Sequence, residues 1–169
     1  MSGLALTAEQ IAFVTGGDGG ISITVSARDA RRVPSLMKAL GCRVAADGKR
    51  ISLLLEAHAA RQLLADVVAT RQVAAVFSLP RTHRTLQLKG DEAVVGELQT
   101  GDRELIVHHA EAFAASLVPL GYRREFALAV HGVMPGAELC ALTFTVRDAF
   151  AQTPGPGAGV RLPRPEGSA

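Results

Sequence analysis

The residues that could do chemistry are concentrated between Val73 and Gly90, in the run VAAVFSLPRTHRTLQLKG. Val73 to Leu79 is rich in β-branched and aromatic residues, and Pro80 stops it. Beyond the turn the side chains fall into two alternating rows. Arg84, Leu86 and Leu88 share one row; His83, Thr85, Gln87 and Lys89 share the other. The pattern predicts a β-hairpin with one polar, basic row, which can hold an anionic ligand over a sheet. Arg84 could grip a phosphate with its planar fork and Lys89 could act as a point charge. The two lie on opposite faces, so one subunit cannot aim both at one ligand without strand twist or a second chain. The competing reading makes them solvated residues guarding a strand edge.

Other reactive side chains are less well placed. His108, His109 and Glu111 lie together in a helical stretch, but their spacing is not HExxH and adjacent helical residues point different ways. His83 and His131 read as single histidines on strands. Ser78 lacks a GxSxG elbow. Cys42 and Cys140 stand far apart with no CxxC, as two small buried apolar residues would. The cluster Gly16 to Gly20 invites a phosphate-loop reading. The alternating run Ile21 to Ala27 follows it, where a phosphate loop needs a helix N-terminus.

Composition limits the partners. A net charge of +2 and 4% aromatics argue against nucleic acid, which needs a basic footprint and bases stacked on rings. No stretch reaches the roughly 18 apolar residues of a membrane span, and the N-terminus has no basic segment followed by an apolar core. A cytoplasmic protein is expected. With 48% hydrophobic residues and no Trp, the core must be built from Val, Leu, Ile and Ala.

The elements that position these residues follow from local pattern. A helix is predicted over Thr7 to Thr15, with Thr7 and Gln10 at capping-box spacing. Strands are expected at Ile21 to Ala27, Ala39 to Ala45 and Ile51 to Leu55, with a tight turn at Asp47-Gly48. Ala60, Leu63, Leu64, Val67 and Val68 recur at helical spacing, predicting a helix over Ala57 to Thr70. The hairpin comes next, extended by Glu92 to Leu98. The longest helix is expected over Asp102 to Leu117, capped by Thr100 or Asp102. Strands are then predicted at Phe126 to His131 and Leu139 to Val146. Residues 1–150 make one domain, and the Pro/Gly-rich residues 151–169 make an arm that could reach a partner. The sum is an α+β chain, mainly β, arranged as an antiparallel barrel with packed helices.

The order of elements, with ISLLLEAHAARQLL, VAAVFSLP and THRTLQLKGDEAVVGEL in their places, resembles the pyridoxamine 5′-phosphate oxidase-related, FMN-binding split-barrel family over roughly residues 20–150. RTLQLKG is similar to that family's Arg-x-apolar-x-apolar-x-Gly run. The resemblance implies an antiparallel split β-barrel, a homodimer, and FMN in a groove between subunits. It places Thr85 against the flavin, with Arg84 as the basic residue before it. Lys89 is a further candidate for the cofactor. Where the family has a Ser-Arg-Lys-like cluster, this chain has Ala57 to Arg61, so Arg61 or His58 would supply charge to the phosphate. Arg43 or Lys38 stands for the family's earlier basic residues. The implied activity is a flavin oxidoreductase acting on a small molecule. The alternatives are a non-catalytic cofactor-binding dimer and a structural dimer on the same fold. The ligand could also be another flavin, a deazaflavin or haem.

Overall fold

The computed structural model describes residues 3–133 and 135–163. In chain order the elements are α1 (Ala8–Val14), β1 (Ser22–Arg28), β2 (Pro34–Ala39), β3 (Gly41–Val44), β4 (Arg50–Glu56), α2 (Arg61–Thr70), β5 (Val73–Ser78), β6 (Thr85–Gly96), α3 (Asp102–Leu117), α4 (Arg124–His131) and β7 (Leu139–Ala151). A single 3-10 turn, Val118–Leu120, leads out of α3.

All strand pairs are antiparallel, and the order across the seven-stranded sheet is β2-β1-β5-β6-β7-β4-β3. The two outermost strands, β2 and β3, are neighbours in sequence, separated only by Leu40. One bent strand therefore serves both ends of the sheet and curls it into a half-barrel. At the bend, the Leu40 amide donates to the Leu54 carbonyl at 2.8 Å. Inside, alternate residues of the strands meet in one cluster: Ile23 and Val25 of β1, Leu53 and Leu55 of β4, Phe77 of β5, Leu88 of β6, and Leu142 and Phe144 of β7. Helix α2 adds Leu63 and Val67 to that interior. Its buried Asp66 accepts hydrogen bonds from Ser35 of β2 at 2.5 Å and from Gln62 at 3.0 Å. Helix α3 packs outside, where Ile106 joins Leu40, Leu54 and Ala141 in a second, smaller cluster.

The outer face of β1, β5 and β6 has no comparable cover. Ser22, Thr24 and Ser26, Ala74, Val76 and Ser78, and Thr85, Gln87 and Lys89 are half-buried or exposed, while the residues between them are buried. No helix of the described chain is long and apolar enough to cross a membrane.

Much of the local reading holds. Thr7 and Gln10 form the expected capping box on α1. Asp47-Gly48 makes the tight turn, with Gly48 at φ 66°, and the β5–β6 hairpin pairs Ser78 with Thr85. Several expectations are corrected. Phe126 to His131 is helix, not strand: Ala127 and His131 are buried four residues apart while Phe126 and Val130 face solvent, a helical period in a run of apolar composition. Helix α2 begins at Arg61 rather than Ala57. The strand expected at Ala39 to Ala45 is two strands that start at Pro34 and break at Leu40. Neither Thr100 nor Asp102 caps α3 by side chain. Gly101, at φ 89°, is the capping residue. Asp102 instead accepts from the Gln99 amide at 2.7 Å and from Arg43 at 2.9 Å.

The described part of the arm folds back on the same chain. The Gly159 amide donates to the Ala151 carbonyl at 2.7 Å and the Leu162 amide to the Ala149 carbonyl at 2.8 Å, so residues 159–162 run along β7. Residues 164–169 lie outside the described residues.

Candidate functional site

Thr85 opens β6 on the uncovered face. Its hydroxyl lies 2.9 Å from that of Ser78 and donates to the His83 carbonyl at 3.0 Å. Its amide donates to the Thr153 hydroxyl at 3.0 Å, which ties the arm to the hairpin. Arg84, one residue earlier, turns the other way. Its guanidinium stacks on the Phe13 ring, 4.5 Å from the centroid. It pairs with Glu9 at 2.7 Å and Asp18 at 2.8 Å. Two carboxylates on one guanidinium leave little positive charge for a phosphate.

Lys89 lies four residues along β6 on the same face as Thr85. It lines a hollow of about 380 Å³ with Ser26 and Arg28 of β1, Arg32 of the β1–β2 turn, Gln72 just before β5, Ala74 within it, and Arg147 of β7. Its ammonium sits over the Phe150 ring at 4.6 Å. The backbone makes this arrangement. Lys89 pairs with Asp148 and Gly90 with Val146, so Arg147 is an extra residue bulged out of β7 between them. Gly90 is required at the bulge: a Cβ there would stand 2.1 Å from a ring carbon of Phe144. Arg147 pairs with Asp91 and Asp148, each at 2.9 Å. Arg161, reaching in from the arm, also pairs with Asp148. Burial alone would raise the Asp148 carboxyl, but Arg147 and Arg161 outweigh it and hold the group below the usual carboxylate range.

His58 and Arg61 are exposed on the turn into α2 and at its first residue. They lie far from Thr85 along the sheet. Glu56 pairs with Leu139 at the start of β7, whereas the Gln152 amide donates to the Thr85 carbonyl just past its end. Strand β7 therefore separates the two groups by a contour of roughly 40 Å at about 3.3 Å per residue. Of the five predicted residues, the structure places Thr85 and Lys89 on one face. Arg84 is turned away from them, and His58 and Arg61 stand apart.

Three basic residues of the hollow escaped sequence reasoning: Arg28, Arg32 and Arg147. Arg32 carried only a weak signal as half of an Arg-Arg pair. It sits in the left-handed region at φ 66°, in a turn where Asp29 accepts from the Val33 amide at 2.8 Å. A second unforeseen group is the pair His109 and His131, with ring centroids 5.0 Å apart between α3 and α4. His131 stacks on Phe113 at 4.7 Å, and Lys38 sits over the same Phe113 ring at 4.4 Å. Among the described residues, neither ring nitrogen of His131, nor Nε2 of His109, has a hydrogen-bond partner. Burial first, and then the Lys38 charge, lower His109 to about 4 and His131 to about 3.

An antiparallel sheet curled by one bent strand, with α2 packed on its interior, α3 outside it and a Pro-turn hairpin on its open face, is a split β-barrel of the pyridoxamine 5′-phosphate oxidase-related fold. Known structures superpose on it with a TM-score of 0.50 or above. HupZ of Group A Streptococcus superposes with a TM-score of 0.53 and 13% identity, over 92% of this chain and 98% of that one. An F420 reductase superposes with a TM-score of 0.50 and 11% identity, over 85% and 98%. A Lactobacillus delbrueckii protein provisionally assigned as a pyridoxamine 5′-phosphate oxidase has a TM-score of 0.48 and 16% identity, over 89% and 100%. No protein-family model and no curated protein sequence matches the chain.

Proposed function

We propose that the protein is a homodimer that binds a flavin-type cofactor, FMN, and acts as an oxidoreductase on a small molecule. The observation that carries this reading is the uncovered outer face of β1, β5 and β6. Its side chains are small or polar, so a flat ring can lie against it, and the Thr85 hydroxyl stands on it. An F420 reductase among the neighbours in fold agrees with a planar redox cofactor. The residues fit the group in two parts. Ala74, Val76, Ser78 and Thr85 offer a surface and a hydroxyl for the ring. His58 and Arg61 offer charge for the phosphate, from the second subunit because β7 separates them from Thr85 within one chain.

Bound there, the flavin supplies hydride or electron transfer. The chain's own task is to orient the ring and to cover it by dimerisation. Purified protein mixed with excess FMN and desalted is expected to keep about one flavin per subunit, read by absorbance. Thr85→Val and Arg61→Glu should each lower retention. Full retention in both variants would refute the assignment of these residues. The wide spacing of the basic set favours a second reading, a dimer on this fold that holds its cofactor weakly and without turnover. Wild-type protein left colourless by desalting would select it.

A further inference from the structure

We propose that α4 is a latch that acid releases. It stays docked on α3 while His131 and His109 are uncharged, and their protonation frees residues 122–132 as a unit before the sheet unfolds.

Little else holds this helix. It has eight residues, fewer than the roughly 12–15 at which an isolated helix becomes even marginal in water, so its form depends on packing. Of its residues only Ala127 and His131 are buried, while Phe126 and Val130, with Tyr122 just before the helix, are exposed. An alanine buries little apolar area, so the His131 ring, stacked on Phe113 of α3 at 4.7 Å, is the main anchor. The ion pair of Arg124 with Glu111 of α3 is exposed on both sides, where such pairs contribute little. Gly121, in the left-handed region at φ 92°, and Gly132 bound the segment, and their freedom lets the chain swing at both ends.

The anchor cannot take a charge where it sits. Both rings are more than nine-tenths buried, and among the described residues three of their four nitrogens have no partner. The groups facing them come from three directions. Lys38 of β2 lies over the Phe113 ring at 4.4 Å. Helix α3 brings His108, whose charge opposes that of His109, and Glu111, which Arg124 already engages. The Ile21 backbone, just before β1, is hydrogen-bonded to His109 and is the one group that favours its charged form. Among the described residues, no carboxylate acts on either ring. Released, the rings regain water and titrate near the ordinary 6.5; docked, burial first and then Lys38 lower His109 to about 4 and His131 to about 3. Well above pH 6.5 neither state takes protons and the latch is unaffected. Below it, the released state takes protons that the docked state refuses. Between pH 7.5 and 5.0 the released population should rise about 30-fold for each histidine that regains water.

Tyr122 is the only tyrosine and the chain has no tryptophan, so intrinsic fluorescence reports on this segment alone. Taking the full-length protein from pH 7.5 to 5.0 should lower the fluorescence anisotropy of Tyr122 reversibly. Amide hydrogen exchange, corrected for the intrinsic rate at each pH, should show protection in α4 falling about 30-fold or more. Protection in β5 and β6 should stay within a few-fold over the same range. His131→Phe keeps a ring on Phe113 that cannot charge, and it should make the fall in α4 about 30-fold smaller. Lys38→Met removes a cation that opposes protonation of the docked rings, so release should need a lower pH. Three results overturn the latch: unchanged α4 protection at pH 5.0, protection lost evenly over the sheet, or a full acid response in His131→Phe. A release midpoint in Lys38→Met at or above that of the wild type overturns the part given to Lys38.

Discussion

Acid should loosen this protein through His109 and His131, and the size of the effect can be worked out. Both are buried, at 6% and 1% exposure. They are lowered from 6.5 to about 4 and about 3 by burial and by the nearby Lys38 charge. At neutral pH both are uncharged in the folded state and mostly uncharged in the unfolded chain, so nothing is lost. As pH falls through 6.5 the unfolded chain takes up protons that the folded state refuses. Stability must then fall until the folded values are reached. Between pH 7.5 and 5.5 each group contributes a loss of about 1.4 kcal/mol, or about 3 kcal/mol for the pair. That is a large part of the 5–15 kcal/mol typical of a domain. Urea unfolding at the two pH values measures it. His131→Phe keeps a ring against Phe113 and removes two nitrogens that have no partner among the described residues. It should raise stability at pH 7.5 by about 1–3 kcal/mol and halve the pH dependence. His131→Leu, smaller at the same site, should show the same reduced slope. A full acid slope in both variants would refute the argument.

Three further outcomes follow from contacts described above. Gly20→Ala would set a Cβ 2.0 Å from the Ala112 carbonyl oxygen of α3, a backbone clash that no rotamer relieves. A loss of about 3 kcal/mol or more is expected in urea unfolding. Asp66→Ala leaves Ser35 and Gln62 without their buried acceptor, at a cost of about 1–3 kcal/mol by the same assay. Arg84→Gln removes two ion pairs at the surface, so thermal unfolding should change by less than about 1 kcal/mol, with flavin retention unchanged.

What the sequence disclosed and what it hid divide along sequence distance. The capping box at Thr7, the helix from Asp102 to Leu117 and the hairpin around Pro80 depend on neighbours within a few residues, and each is found where local pattern puts it. The alternation of Cys140, Leu142, Phe144 and Val146 likewise marks the inward face of β7. The strand expected across Ala39 to Ala45 fails for a non-local reason. Leu40 turns because Pro34 to Ala39 must reach β1 while Gly41 to Val44 must reach β4. Phe126 to His131 misled because a short apolar run reads equally well as strand or helix, and only packing against α3 decides. The basic hollow was the least legible part. Arg28 and Arg32, Lys89, and Arg147 come from three places in the chain, and Arg147 joins the others only through a bulge that has no sequence signature of its own. Thr85 and Lys89 were legible because they sit two strand periods apart on one face.

The position of β7 also bears on how the chain is made. Of the seven strands of this sheet it is the last in chain order, yet it lies inside the sheet, between β6 and β4. Until it emerges from the ribosome, those two strands have nothing to pair with on their facing edges. The three hairpins β1–β2, β3–β4 and β5–β6 can form early from local contacts. The half-barrel cannot, and at roughly 5–20 residues per second the wait beyond β6 lasts several seconds. During that time the backbone edges beside Leu53, Leu55 and Leu88 stay open, which is the interval in which nascent chains of this protein are most prone to pair with one another. Slowing synthesis between Gly96 and Leu139 would lengthen that exposure.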